Sequence, residues 1–203
     1  MKLYDQYIVP ALIRLVCSNR RFNEMRRSLV PHAEGVVLEI GLGSGLNLPY
    51  YNASKVKRIV ALEPSTQLRR SAQQRIEHSM IPVEVSADGA ESIALANHSI
   101  DSIVTTFTLC SIAEIQQALS EMRRVLKPDG NLLFCEHGRA PDAEIQRWQD
   151  RLNPYWKKMA GGCHLNRDID QLITNAGFKT TQRDYNYMPG PKTMGFIYKG
   201  IAR

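Results

Sequence analysis

The sequence predicts an α/β fold: a doubly wound, mostly parallel sheet of seven strands, with a C-terminal antiparallel hairpin and an N-terminal helical cap. Three observations predict it. Short apolar runs alternate with segments whose apolar residues recur at helical spacing, the pattern of strands joined by crossover helices. The first such run, Val36 to Ile40, ends in Gly41-Leu42-Gly43-Ser44-Gly45. That turn lets a ligand touch bare backbone at the end of a parallel strand. The last two strand-like segments meet through Met188-Pro189-Gly190-Pro191, which favours an antiparallel hairpin at one sheet edge.

The elements follow in order. Ile8, Leu12, Leu15 and Val16 share one helical face, with Pro10 opening the helix, and Phe22, Met25 and Leu29 mark a second stretch. Strand 36–40 leads into a loop with Asn47 and Pro49, then strand 58–62 and a helix from Ser65 to His78. Segments 82–86 and 101–106 read as the third and fourth strands. Ile115, Leu119, Met122 and Leu126 mark a helix stopped by Lys127-Pro128-Asp129-Gly130, and 131–136 is the fifth strand. Ile145, Trp148, Leu152 and Trp156 suggest a helix disturbed at Pro154, its tryptophans forming core or a pocket wall. Ile169, Leu172, Ile173 and Ala176 form a shorter helix ended by Gly177. Segments 178–187 and 194–202 complete the sheet, and no linker divides the chain.

Composition narrows the class. The chain has 203 residues, 43% of them hydrophobic, as expected of one soluble domain. No apolar run approaches the roughly 20 residues of a membrane span. The best stretch, Tyr7 to Cys17, is short and holds Pro10 and Arg14, and no signal-peptide cleavage pattern follows it. Cys17, Cys110, Cys135 and Cys163 show no paired metal spacing, so reduced thiols, no metal and a cytoplasmic protein are expected. The net charge of +6 is concentrated in residues 1–30, where Lys2, Arg14, Arg20, Arg21, Arg26 and Arg27 face only Asp5 and Glu24. A solvated helix face is the preferred reading of that block, with anionic lipid or nucleic acid as alternatives. No nucleic-acid partner is expected.

Acids stand at the carboxyl ends of successive strands, where doubly wound sheets bind ligands. Glu39 lies just before the glycine turn, Glu63 ends the second strand, and Asp88 with Gly89 follows the third. Thr106-Phe107-Thr108-Leu109-Cys110 follows the fourth. A carboxylate at Glu63 can accept from both hydroxyls of a ribose, and Asp88 from the amine of adenine. Pro64 offers an apolar surface for a purine. The turn is Gly-x-Gly-x-Gly, unlike the Gly-x-Gly-x-x-Gly of nicotinamide dehydrogenases, and an adenosine without a pyrophosphate fits it better.

The runs VLEIGLGSGLN, ALEPS, SADGAESI and EMRRVLKPDGNLLFCEHG resemble the class I S-adenosylmethionine-dependent methyltransferases across about residues 33–140. The resemblance implies a Rossmann-like fold, S-adenosyl-L-methionine as cofactor, and a cofactor site at Glu39, Gly41, Gly43, Gly45, Glu63, Pro64, Asp88, Gly89 and Thr106. It divides the single domain 1–203 into a cap (1–30), a cofactor-binding core (31–140) and substrate-side helices with the edge hairpin (141–203). The Phe134-Cys135-Glu136-His137, Leu152-to-Trp156 and Gly162-to-Arg167 segments are similar to methyltransferase-like proteins that include alkyl thiol methyltransferases. A small apolar acceptor is therefore expected, a thiol first. A phospholipid or quinone acceptor is the alternative, and a non-catalytic cofactor-binding module the reading from another class.

Methyl transfer is an in-line displacement on an already activated sulfonium, so the protein mainly aligns the nucleophile and excludes water. A thiol attacks as thiolate, which a nearby base or positive group favours. His137 is the candidate base, its other role being a hydrogen bond to the neighbouring loop. Tyr4, Tyr7, Cys110 and His164 are the candidate substrate-binding residues, against ordinary packing roles. The N-terminal segment is read as a lid over the cofactor, with peripheral contact to an anionic membrane as its second reading.

Overall fold

A computed structural model describes residues 19–203. The helix expected around Ile8 to Val16, with Tyr4, Tyr7 and Cys17, lies outside the described residues. Helix α1 (Arg20–Leu29) starts at Asn19, whose side chain accepts from the Arg21 amide. Strand β1 (Gly35–Ile40) comes next, then β2 (Val56–Leu62) and α2 (Thr66–Glu77). Ser65 caps α2 by accepting from the Leu68 amide. Edge strand β3 (Val83–Ser86) and central β4 (Ile100–Thr106) precede α3 (Ile115–Val125) and β5 (Leu126–His137). Helices α4 (Ala143–Met159) and α5 (Ile169–Asn175) lead to β6 (Thr180–Tyr187) and β7 (Phe196–Ala202).

The seven strands lie in the order β3-β2-β1-β4-β5-β7-β6. The first five pair in parallel, and β7 is antiparallel to both β5 and β6. The strand order reverses between β1 and β4, so a crevice opens there at their carboxyl ends.

Alternation along the strands builds a core on each face. Leu38 and Ile40 face α3 with Ile103, Leu119 and Met122. Val37 and Val104 face the other way, toward Leu29, Leu48, Tyr51 and Ala72. Helix α5 ends where Gly177 takes φ +85°, a conformation costly for any side chain.

Two elements differ from the sequence expectation. Lys127–Gly130 forms no gap before β5. Leu126 already pairs with Ile100, and the chain bulges before Asn131 pairs with Ser102. Helix α4 also runs unbroken through Pro154, which is exposed, so water can satisfy the carbonyl that loses its donor.

Candidate active site

The crevice at the β1/β4 reversal is a cleft of about 310 Å³, within the usual size range of small-molecule sites. Its floor is the turn after β1. Gly41 has φ +73°, and a Cβ there would come within 2.5 Å of Thr108 Oγ1, so only glycine lets the two loops meet. Gly43 has φ +58°, and a Cβ there would meet only the Gly41 carbonyl at 4.0 Å. Gly43 lines the cleft, so that Cβ would project into it. Gly45 turns away from the cleft and packs against α2 near Ala72 and Arg75.

Glu63 is 6% exposed and lines the cleft. Its Oε2 accepts from the Gly43 amide at 2.8 Å and its Oε1 from the Ser65 amide at 2.9 Å. Burial raises its pKa, against the pull of those two amides. Asp88 is exposed and lines the cleft with Gly89 and Pro64, and it accepts from Ser86 Oγ at 2.5 Å.

Glu39 is fully buried and reaches the cleft only through Asn47. Its Oε1 accepts from Asn47 Nδ2 at 3.0 Å and its Oε2 from the Tyr51 hydroxyl at 2.9 Å. Asn47 also bonds Thr106 Oγ1, and both of these line the cleft. Burial pushes the Glu39 carboxyl up to about 7, although Tyr51 and Asn47 stabilise its charge.

Arg26 corrects the reading of the basic block. Its neighbours Arg20, Arg21 and Arg27 are exposed, but Arg26 is 3% exposed and lines the cleft from α1. It lies over the Phe107 ring, 5.5 Å from the centroid. Phe107 itself holds φ +57° where β4 ends, a strained conformation for a side-chain-bearing residue. Its amide donates to the Cys135 carbonyl at 2.8 Å. Sequence reasoning gave Arg26 no site role and marked Phe107 only as part of the segment that follows the fourth strand. For Arg26 the available signal was its spacing of three from Leu29 on the buried face of the helix.

The substrate-side residues assemble differently from expectation. The His137 Nε2 that a direct base would offer lies 2.9 Å from Cys163 Sγ. Trp156 Nε1 donates to the same sulfur at 3.3 Å. Cys110 is buried, its thiol donates to the Phe107 carbonyl at 3.8 Å, and its sulfur lies within 4.8 Å of Cys163 Sγ. Hydrogen bonds from Cys110, and then from His137 and Trp156, hold the Cys163 thiol well below its ordinary pKa despite burial. Burial pulls His137 down, but the bond and charge of Cys163 outweigh it and the pKa rises. Burial and the charges of Arg167 and Lys157 lower His164 to about 4. Its backbone amide ties this loop to the Cys110 carbonyl at 2.8 Å.

These residues border the cleft without lining it. Cys110 lies one residue before cleft-lining Ser111, and an added Cβ at Gly162 would sit 3.6 Å from the Ser111 carbonyl. Glu136 fixes the loop between them, accepting from Thr105 Oγ1 at 2.8 Å and the Thr108 amide at 3.1 Å. Arg167 donates to the Leu109 carbonyl and, at 2.7 Å, to that of Ile112. Trp148, expected as core or pocket wall, is 49% exposed under Arg151, while Trp156 joins the sulfur cluster. Among the described residues no helix is long and apolar enough to cross a membrane.

A methyltransferase-domain family model matches residues 38–134, which supply all of the cleft lining except Arg26. The human thiol S-methyltransferase TMT1B is 30% identical, over 98% of this chain and 87% of that protein. Human thiol S-methyltransferase TMT1A is 27% identical over 83% of this chain and 70% of its own length. A S-adenosylmethionine-dependent methyltransferase structure from Aquifex aeolicus shares the fold, with TM-score 0.66 and 19% identity over 95% of this chain and 97% of that one.

Proposed function

This chain belongs to the S-adenosylmethionine-dependent methyltransferases, and we propose that it methylates the sulfur of a small apolar thiol. One observation carries the thiol reading. The similarity to a thiol S-methyltransferase covers 98% of the chain, so it includes the acceptor side of the cleft as well as the cofactor half.

The residues present suit the cofactor. Gly41 and Gly43 keep the floor open for its methionine part, which Asn47 and Thr106 flank. Glu63 accepts from the ribose hydroxyls through lone pairs that the Gly43 and Ser65 amides leave free. Asp88 would accept from the adenine amine, and Pro64 would offer the purine an apolar surface. Arg26, charged and buried in the cleft wall, pairs with the amino-acid carboxylate. Glu39 acts through Asn47. When bound, the cofactor supplies an electrophilic methyl on a positively charged sulfur.

The chain's remaining work is alignment and charge control. The acceptor has to arrive as a thiolate, which positive charge favours. Arg167 holds its guanidinium on the Leu109 and Ile112 carbonyls, on the loop that carries Cys110, and His137 Nε2 contacts Cys163 Sγ. His137 therefore shapes the field on the acceptor side while its Nε2 is held by the protein's own sulfur.

Turnover with labelled cofactor and separate acceptors tests the reading. Alkyl thiols should be methylated, and phosphatidylethanolamine and a quinol should not. Methylation of the amine or the quinol, with none of the thiol, overturns it.

A further inference from the structure

Cys110, His137 and Cys163 come from three separate places: the loop after β4, the end of β5 and the loop after α4. Their ligand atoms, two Sγ and one imidazole nitrogen, all lie within 4.8 Å of one another. His137 Nε2 and Cys163 Sγ are 2.9 Å apart. A tetrahedral zinc ion has zinc–sulfur bonds of about 2.3 Å and zinc–nitrogen bonds of about 2.0–2.1 Å, which places its ligand atoms roughly 3.5–3.8 Å apart. The cluster brackets that spacing, so small side-chain rotations would admit the ion.

We propose that Cys110, His137 and Cys163 form a three-ligand zinc site whose fourth position takes the acceptor's sulfur. Two thiolates and an imidazole are the donor set that borderline-soft Zn²⁺ prefers. Three protein ligands with one open position is the arrangement of catalytic rather than structural zinc. The scaffold is already rigid. His164 ties the Cys163 loop to the Cys110 carbonyl, and Asn153 Oδ1 accepts from the Leu165 amide at 2.9 Å. Trp156 donates to the Cys163 sulfur, an outer-shell bond of the kind that orients a ligand. Two thiolates neutralise the dication, and Arg167, held on the Leu109 and Ile112 carbonyls either side of Cys110, offsets the charge that a third thiolate adds.

This inference rests on the thiol reading and supplies its missing step. The acceptor S–H releases its proton to solvent as the sulfur binds zinc. A sulfur lone pair then forms the new S–CH₃ bond as the methyl–sulfonium bond breaks. That bonding pair returns to the departing sulfur, giving a neutral thioether. The methylated product is also a thioether, a poorer zinc ligand than a thiolate, and it leaves. No oxidant or reductant is needed.

The test uses the full chain purified without chelators. Elemental analysis should find about one zinc per chain, and X-ray absorption should show two protein sulfurs and at least one nitrogen around it. Cobalt(II) exchanged into the site should give intense tetrahedral visible bands and a sulfur charge-transfer band. An added alkyl thiol should shift both. Cys110→Ser and Cys163→Ser should each weaken cobalt binding by more than the 10–100-fold typical of outer-shell changes, while Cys135→Ser leaves it unchanged. Should the serine variants fail to fold, the absorption data on the unaltered chain decide. Absence of metal, or a metal without the two sulfurs, overturns the site. Bound cobalt whose spectrum ignores thiol overturns the open position. Thiol turnover without metal sinks this inference and leaves the thiol reading standing. Stoichiometric zinc with methylation only of amines or quinols sinks the thiol reading instead.

Discussion

Glu63 and Gly43 are joined by a 2.8 Å hydrogen bond from the glycine amide to the carboxylate. The turn after β1 is thus clamped to the acid after β2, and both face the same cleft. The residue proposed to hold the ribose also fixes the backbone over which the methionine part would lie.

Removing that carboxylate acts twice. Glu63→Ala should weaken S-adenosylhomocysteine binding by at least about 1.5–3 kcal/mol, the scale of a hydrogen bond to a charged group. Isothermal calorimetry reads this directly. An unchanged affinity would place the ribose elsewhere.

Arg26→Ala should separate the two ends of the cofactor. Affinity for S-adenosylhomocysteine should fall by about 1.5–3 kcal/mol. Affinity for 5′-methylthioadenosine, which has no amino-acid carboxylate, should hold. Equal losses for both ligands would make Arg26 a packing residue only.

Much of this site was legible in the chain because its signals are local. The alternation of runs gave the sheet, and the glycine spacing gave the turn. Glu63 and Asp88 stand where strands end, and Ser65 and Gly177 bound their helices as expected. What escaped depends on which way a side chain faces or on distant contacts. Arg26 looks like any arginine of a basic helix until the helix packs over the cleft. Trp148 shares helical spacing with Trp156 yet ends on the surface. Cys110, His137 and Cys163 have no metal-type spacing, because two loops and the end of β5 bring them together.

Glu39 should leave a mark on stability as pH changes. Burial raises its folded pKa to about 7 from an ordinary 4.5. Across that window the folded chain binds more protons than the unfolded one, so stability falls as pH rises from about 4.5 to about 7. The loss is complete above the folded value. At 1.36 kcal/mol per unit, it amounts to about 3 kcal/mol. Arg26 pulls this pKa down and Glu63 pushes it up, both less than burial does. Denaturant unfolding of the wild type and of Glu39→Gln should therefore differ in pH slope, and taking the difference cancels other groups such as Glu136. Identical slopes would show that Glu39 titrates normally.

Gly41→Ala should destabilise the fold as well as the site. Its Cβ would press on Thr108 in a left-handed conformation, a strain of about 1–3 kcal/mol. For a chain of this size each kcal/mol lowers the melting temperature by about 2–4 °C. A melting curve that does not move would contradict the close approach of the two loops.

The atom that receives the methyl group tests the account most directly. An apolar acceptor carrying a thiol, an amine and a hydroxyl can be offered together with cofactor labelled in its methyl group, and the product read by NMR. The account predicts label on sulfur alone. Label on nitrogen or oxygen, or an untouched acceptor beside an active cofactor site, would contradict it.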